Sequence, residues 1–417
     1  MLAHSPALPL VVDYADETRG LTVEGGESLW LTFLPERRDR VRRIRLLVHE
    51  SYLWKFVAAL LDGTFPALEH LSVKLREPSP SSSSLTLPDT FRAPRLRHLV
   101  LTHFGFPLAS PILVATAHLV TLSLNMFVYC HPNDLLERLA LLPRLETLEL
   151  ASIAPFISPG WQAALHTPLD TQVTLSNLRS FGFVGISTYL EALLPAMVTP
   201  LIEGLQSAFL NRMTSSVPCL LSCSTPPDNP NSSSGSAWFR FHHRGVSAHV
   251  FHCDGDRTYV FSLHAFCRSL DLQLSFVSQL FDGPSPLLAS VADLSLDYSR
   301  RIFSSPEQHA DSEDRRTQWR NLLRSFRNVE ILRVHGELSR DISRSLLLGS
   351  EGEPPSRVLL PRLKELQFSA TDDSPDAGNA FAAFIYARGA SGHPVRLVHA
   401  TIIPPPSSGI SSHAYQG

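Results

Sequence analysis

The sequence predicts an α/β fold in which short parallel strands recur along the chain with helices between them, and three observations predict it. First, one phrase keeps returning. Pro66 to Val73 reads PALEHLSV, Pro94 to Leu101 reads PRLRHLVL, Pro143 to Leu150 reads PRLETLEL and Pro361 to Phe368 reads PRLKELQF. Looser copies begin at Val41, Leu119, Leu178, Val291 and Val329. All fit apolar-x-x-apolar-x-apolar, the strand half of a leucine-rich repeat, a unit that cannot bury its apolar face alone and must stack on its neighbours. Second, helical apolar periods fall between the copies. Third, apolar residues make up 44% and charged residues 18% of 417 residues, as in an ordinary folded chain. The expected architecture is a leucine-rich-repeat-like solenoid, a curved parallel sheet with helices on its convex face.

Side chains alternate along a strand, so the first, fourth and sixth positions of each copy should point inward. These are Val41, Ile44 and Leu46 in the first copy, Leu68, Leu71 and Val73 in the second, and Leu145, Leu148 and Leu150 in a later one. The proline before the first leucine suits the start of a strand, where a missing N–H costs least. Helices are predicted over Glu50 to Leu61, over Pro132 to Leu142 with Asn133 or Asp134 as N-cap, and over Arg316 to Phe326. Successive copies lie roughly 23 to 38 residues apart, against about 20–29 in regular units. Phe104, Phe127, Ile153 and Ile186 stand where a ladder asparagine is usual. The solenoid is therefore degenerate.

The spacing fails between about Thr188 and Ser290. A Ser/Pro/Asn-rich loop over Pro218 to Ser236 leads into three strand-like runs, Ala237 to His242, Ser247 to His252 and Arg257 to His264. Arg244-Gly245 and Asp254-Gly255-Asp256 separate them as hairpin turns do. The domain reading is one irregular repeat domain over 1–400, with this strand-rich section at about 210–270, and a disordered tail over 401–417. Exposed loops are expected at Glu77 to Asp89, Ser304 to Arg315 and Thr371 to Gly378.

A net charge of −3 gives no general case for nucleic-acid or membrane partners. The opening MLAHSPALPLVVDYADE lacks a basic n-region and is broken by Pro6 and Pro9, a poor signal peptide. No apolar stretch approaches about 18 residues, so no spanning helix is expected. The five cysteines are few, odd in number and scattered, which suits reduced thiols in the cytoplasm or nucleus.

No nucleophile elbow, phosphate-binding loop, dinucleotide fingerprint or HExxH occurs, and no cofactor is expected. His242, His243, His249, His252 and His264 lie near Cys253 and Cys267, but no ligand pair is followed by a matching pair at metal-site spacing. An enzyme or metal site in the section 242–267 is the alternative from another class. Asp254 to Asp256 lacks the further oxygen ligands of a calcium loop. The basic run Arg37 to Arg45 carries the inward pattern of Val41 and Ile44, which sets alternate arginines on an outer strand face. On that face Arg43, Arg45, His70, Lys74 and His98 form a candidate protein-binding surface, basic at one end. Glu149, Asp293 and Asp297 would make a more acidic region further along.

Several segments resemble basidiomycete fungal F-box proteins with degenerate leucine-rich repeats. They are PLVVDY (Pro9 to Tyr14), RDRVRRIRLLV (Arg38 to Val48), PALEHLSV, TPLIEGLQSAF (Thr199 to Phe209) and RTQWRNLLRSFRNVEILRV (Arg316 to Val334). The resemblance covers Pro6 to His399 and implies a non-enzymatic repeat domain that holds a substrate protein for ubiquitin transfer. In that family an N-terminal F-box docks on a Skp-type adaptor; only eight residues precede Pro9 here, so the chain as it stands is not expected to bind the adaptor. A repeat scaffold unrelated to ubiquitination is the alternative.

Overall fold

The recurring phrase dictates the core. The computed structural model describes residues 8–15, 34–49, 55–58, 63–76, 87, 90–103, 110–125, 130–152, 165, 169–210, 235–254, 257–267, 269–281, 286–299, 313–347, 359–369 and 375–399. In all nine copies the first, fourth and sixth side chains are buried, none more than 6% exposed. Each such leucine contributes about 1.5–3 kcal/mol by leaving water, so the triplets are the main source of cohesion. The chain is mixed α/β; among the described residues fifteen of seventeen strands pair in mostly parallel order, and the chain divides into two compact units.

The first unit holds Met1–Thr225 and Tyr259–Phe266. Its strands begin with β1 (Leu10–Ala15), β2 (Val41–Val48), β3 (His70–Leu75) and β4 (His98–Thr102). Helix α1 (Pro111–Ala115), β5 (Thr121–Asn125), α2 (Pro132–Ala140), β6 (Thr147–Ala151), β7 (Val173–Thr174) and β8 (Ser180–Gly185) follow. Then come α3 (Ser187–Leu193), β9 (Met197–Val198) and β10 (Gly204–Phe209). The chain next forms β11 (Gly235–His242) and β12 (Gly245–Asp254) of the second unit before β13 (Arg257–Phe266). Within the first unit the order is β1-β2-β3-β4-β5-β6-β8-β10-β13, and every one of these neighbouring pairs is parallel. Strands β7 and β9 form a separate parallel pair.

Register keeps the inward residues in line: Leu71, Leu99, Leu122, Leu148 and Phe181 share one row, and Val73, Leu101, Leu124, Leu150 and Phe183 the next. Tyr189 of α3 stacks on Phe183 at 6.1 Å, which puts that helix on the inward side. The prolines do something other than start strands. Before β3, β4, β6 and the later PRLKELQF strand, the first leucine's N–H bonds the carbonyl three residues earlier, at Phe65, Ala93, Leu142 and Leu360. Pro66, Pro94, Pro143 and Pro361 are therefore second in a tight turn, where a φ fixed near −65° is pre-set and no N–H is required. Successive turns are then hooked together by backbone bonds, such as those from Arg97 and His98 N–H to Glu69 C=O.

The second unit holds Pro226–Thr258 and Cys267–Gly417. Its further elements are α4 (Leu270–Leu280), α5 (Pro286–Ala289), β14 (Val291–Ser299), α6 (Glu313–Arg324), β15 (Ile331–His335), α7 (Leu338–Leu347), β16 (Glu365–Ser369), α8 (Pro375–Ala390) and β17 (Arg396–His399). The order is β12-β11-β14-β15-β16-β17, with β11 and β12 antiparallel and the rest parallel. The Arg244-Gly245 turn thus closes a hairpin, as its sequence indicates. The core here is aromatic: Phe239 meets Phe281 and Phe326 edge-on at 5.7 and 5.8 Å, and Phe241 meets Trp319 at 5.3 Å. Arg315 ties three helices, its Nε donating to Asp271 Oδ1 at 2.6 Å and its Nη1 lying 3.7 Å from Asp341 Oδ2.

Some boundaries differ from expectation. Helix α6 starts at Glu313, inside the expected loop Ser304 to Arg315, because Glu313 and Asp314 favour a helix N-terminus and Arg315 is buried. Pro375 to Gly378 is likewise the first turn of α8 rather than loop. Pro132 takes the first position of α2, so the cap is His131, whose Nδ1 accepts from Asn133 N–H at 3.3 Å, not Asn133 or Asp134. Of the helix expected over Glu50 to Leu61, residues 55–58 are described and helical. The tail 401–417 and most of the loop over Pro218 to Ser236 lie outside the described residues.

Candidate interaction surface

Alternation along the first-unit strands leaves one face of the sheet mostly to polar side chains. Its first row runs Arg43, His70, His98, Thr121, Thr147 and Ser180 across β2, β3, β4, β5, β6 and β8. The next row runs Arg45, Ser72, Val100, Ser123, Glu149 and Gly182. Lys74 follows His70 and Ser72 on β3. All five residues expected to form the basic surface thus stand on one face of three adjacent strands. Strand spacing of about 4.8 Å brings their heads within reach of one extended ligand.

The electrostatics follow from the register. His70 and His98 are cross-strand neighbours with ring centroids 5.5 Å apart, and His98 Nδ1 lies 3.1 Å from Thr121 Oγ1. Partial burial, then the neighbouring His98, Arg43 and Arg45, hold His70 below the usual histidine value. Burial lowers His98 as well, with Arg97 and Arg43 adding to it while Glu146 and Glu69 act in the opposite sense. Arg45 meets Asp13 at 3.7 Å with both side chains more than half exposed, and Glu69 is engaged by Arg42 at 2.8 Å. Among the described residues Arg43 and Lys74 have no acidic partner. Further along, Glu149 accepts from Ser123 Oγ at 2.6 Å, and Gly182 leaves it room: a Cβ there would lie 3.3 Å from Glu149 Cγ.

The corresponding face of the second unit is organised differently. One row holds His249, Trp238, Ser295, Arg333, Gln367 and Val398, and another holds Ser247, Arg240, Asp297, His335 and Ser369. Trp238 stacks on His249 at 5.3 Å, and His249 on Phe251 at 6.2 Å. The Arg240 guanidinium lies 4.1 Å from the Trp238 ring centroid, a cation–π contact, while its Nε donates to Asp297 Oδ2 at 3.1 Å. Arg333 pairs with Asp293 and donates from Nε to Gln367 Oε1 at 3.1 Å. Burial holds His335 low, with Asp297 opposing and Arg333 reinforcing the shift. The more acidic region expected at Asp293 and Asp297 is therefore neutralised, because Asp297 shares a register with Arg240 and Arg333, level with Ser295, reaches Asp293 diagonally.

No protein-family model and no curated protein matches this chain.

The histidines of the section 242–267 do not form one cluster: the His242 and His243 rings lie 6.1 Å apart, but His249 and His252 face opposite ways. Alternation turns His249 outward onto the stacked strip and His252 inward, where it is 2% exposed. Among the described residues no group of three or more histidine, cysteine, aspartate or glutamate side chains is placed to hold a metal ion. Burial pushes the thiols of Cys130 and Cys267 up to about 11. They are un-ionised near neutrality and poor nucleophiles. Cys219 and Cys223 lie outside the described residues. The Trp238–His249–Phe251 strip had no sequence signal of its own, since Trp238 and His249 become neighbours only through the hairpin register. A tryptophan two residues from an arginine on an alternating strand was the available hint.

Proposed function

We propose that the chain is a non-enzymatic protein-recognition domain, a leucine-rich-repeat-like solenoid akin to the substrate-binding part of an F-box ubiquitin-ligase receptor. It would bind a polypeptide across its outward sheet face in the cytoplasm or nucleus, without nucleic-acid or membrane partners and without a cofactor. The observation that carries this reading is the register: copies of one phrase pair in parallel with their leucines in line, leaving a mostly polar face on the other side. Such a face offers extended contact to a polypeptide. The segments that resemble F-box repeat proteins fall on elements of both units: PLVVDY runs into β1, RDRVRRIRLLV covers β2, TPLIEGLQSAF reaches through β10, and the arginine-tryptophan segment spans α6 and β15. Among the described residues no helix is long and apolar enough to cross a membrane.

Site-specific photo-crosslinking tests the reading. A crosslinker at position 45 or 74 of the full chain should capture a defined polypeptide, and R43E/R45E combined with the position-74 crosslinker should lose it. A crosslinker at Tyr386, which is 81% exposed on α8, is the control; equal capture of the same polypeptide there would overturn recognition by this face. The ubiquitin link is separable. If ubiquitination of the captured protein does not change when the chain is removed from cells, the domain is a scaffold of another kind.

A further inference from the structure

The basic face contains a feature that a solubilising surface does not require. His70 and His98 are set side by side on β3 and β4, with Arg43 completing the row on β2. Among the described residues the titratable groups facing the pair come from several elements. Arg43, Arg45 and Asp13 approach from β2 and β1, Glu69 from the turn before β3, Arg97 from the turn before β4, and Glu146 from the turn before β6. Lys74 is on β3 itself. Cations outnumber carboxylates around the rings, and Glu69 is already engaged by Arg42.

We propose that this face is a proton-coupled dock for an acidic polypeptide segment, whose carboxylates bind across Arg43, Arg45 and Lys74 and draw protons onto His70 and His98. The proposal rests on the recognition reading above and adds the partner's chemistry and its control. In the chain alone, burial and neighbouring cations disfavour the imidazolium forms. A bound carboxylate reverses the local field and favours them. The bound complex then holds more protons than its parts, so affinity must rise as pH falls. The gain is complete below the imidazole values of the free chain and lost as pH rises through those of the complex. Carboxylates of the partner stay ionised above about pH 4.3, which leaves the imidazoles of this face to carry the pH dependence. Nucleic acid fits less well. Strand-binding sites interleave aromatics with the basic groups so that bases can stack, and this face continues instead into Thr121, Thr147 and Glu149.

Fluorescence anisotropy with a labelled oligoglutamate peptide and the full chain at low salt tests this. Binding should be about tenfold tighter at pH 5.5 than at pH 8, equivalent to about 1.4 kcal/mol, the scale of two exposed charge pairs acting together. H70Q/H98Q should bind as the parent does at pH 8 and show no pH dependence, and R43E/R45E should abolish binding. Calorimetry of the unmodified chain in buffers of different ionisation enthalpy should show uptake of about one to two protons, a readout independent of any variant's folding. Failure of the peptide to bind at any pH would overturn this proposal, while the recognition reading would still stand or fall on capture at positions 45 and 74. Binding without pH dependence, without proton uptake, or with pH dependence retained in H70Q/H98Q would overturn the proton coupling alone. Tighter binding of oligothymidylate than of oligoglutamate would overturn the choice of partner.

Discussion

In the first unit Arg43, His70 and His98 stand side by side on neighbouring strands, whereas in the second Arg333 stands beside Asp293 and Arg240 beside Asp297. One spacing underlies both: residues at equal register on adjacent parallel strands lie about 4.8 Å apart. A long arginine such as Arg333, level with Ser295, also reaches the carboxylate two residues away on the neighbouring strand. Where opposite signs share a register, the face neutralises itself. Where like signs share it, the face keeps a field that a partner can satisfy. The difference is invisible in the total charge of −3, because it depends on which strands become neighbours. The second face also carries the Trp238, His249 and Phe251 stack, so its surface is organised by contacts within the protein itself.

The largest expected effects come from the cores beneath these faces. Replacing Leu148 in the first unit by alanine should cost about 2–5 kcal/mol, and Phe241→Ala in the second about 3–5 kcal/mol, through the cavities left. Both side chains are fully buried, and Phe241 also loses its edge contact with Trp319. Denaturant titration read by two probes would check this. A change under half a kcal/mol for Leu148→Ala would refute the inward assignment on which the first face depends. Next in size is Arg315→Ala, expected to cost roughly 1–3 kcal/mol. Its side chain is 9% exposed, but Asp271 is 51% exposed and can rehydrate once the arginine is gone, which caps the loss.

Ser207→Ala should act in the opposite direction and shows what the sequence hid. Ile202, Leu205 and Ser207 form a copy of the repeat phrase on and before β10, in register with Phe181 and Phe183. A serine at the sixth position disguised it. Its hydroxyl is buried and has no hydrogen-bond partner among the described residues, so removing it should stabilise the protein by about 1 kcal/mol. Thermal unfolding would show the rise. The nine leucine-bearing copies were legible because strand alternation and burial impose the same pattern wherever it occurs. The turns, in contrast, were misread because proline is equally at home at a strand start and in second place of a turn. Pairings such as Arg333 with Asp293 were not legible at all, since they require knowing which strands adjoin.

Acidification should weaken the fold. His70, His98 and His335 are held below the ordinary value of 6.5, mainly by burial. The unfolded chain therefore binds more protons near that pH, and stability rises with pH there. The contribution of these groups is fully present above 6.5 and is lost as pH falls through the lowered folded values. Melting temperatures between pH 8 and pH 5 should fall less steeply for H335Q and for H70Q/H98Q than for the parent. Parallel slopes would mean that the imidazoles are not disfavoured as cations.

The smallest effect sharpens the contrast between the two faces most directly. Arg240→Gln removes the partner of Asp297 and the guanidinium over Trp238, contacts that are partly solvated, with side-chain exposures of 39% and 25% for the ion pair. Exposed ion pairs and cation–π contacts each contribute at most about 1 kcal/mol, so a loss of about 0.5–1 kcal/mol is expected. Arg43→Gln removes a cation from beside two other basic groups and breaks no ion pair among the described residues. Its stability should stay within about 0.5 kcal/mol of the parent, the ordinary range for surface changes. High salt should shrink the Arg240 effect by screening and leave Arg43→Gln unmoved. If Arg43→Gln instead cost as much as Arg240→Gln, Arg43 would be held by the protein's own carboxylates. The first face would then be as self-satisfied as the second, with no charge left to recognise a partner.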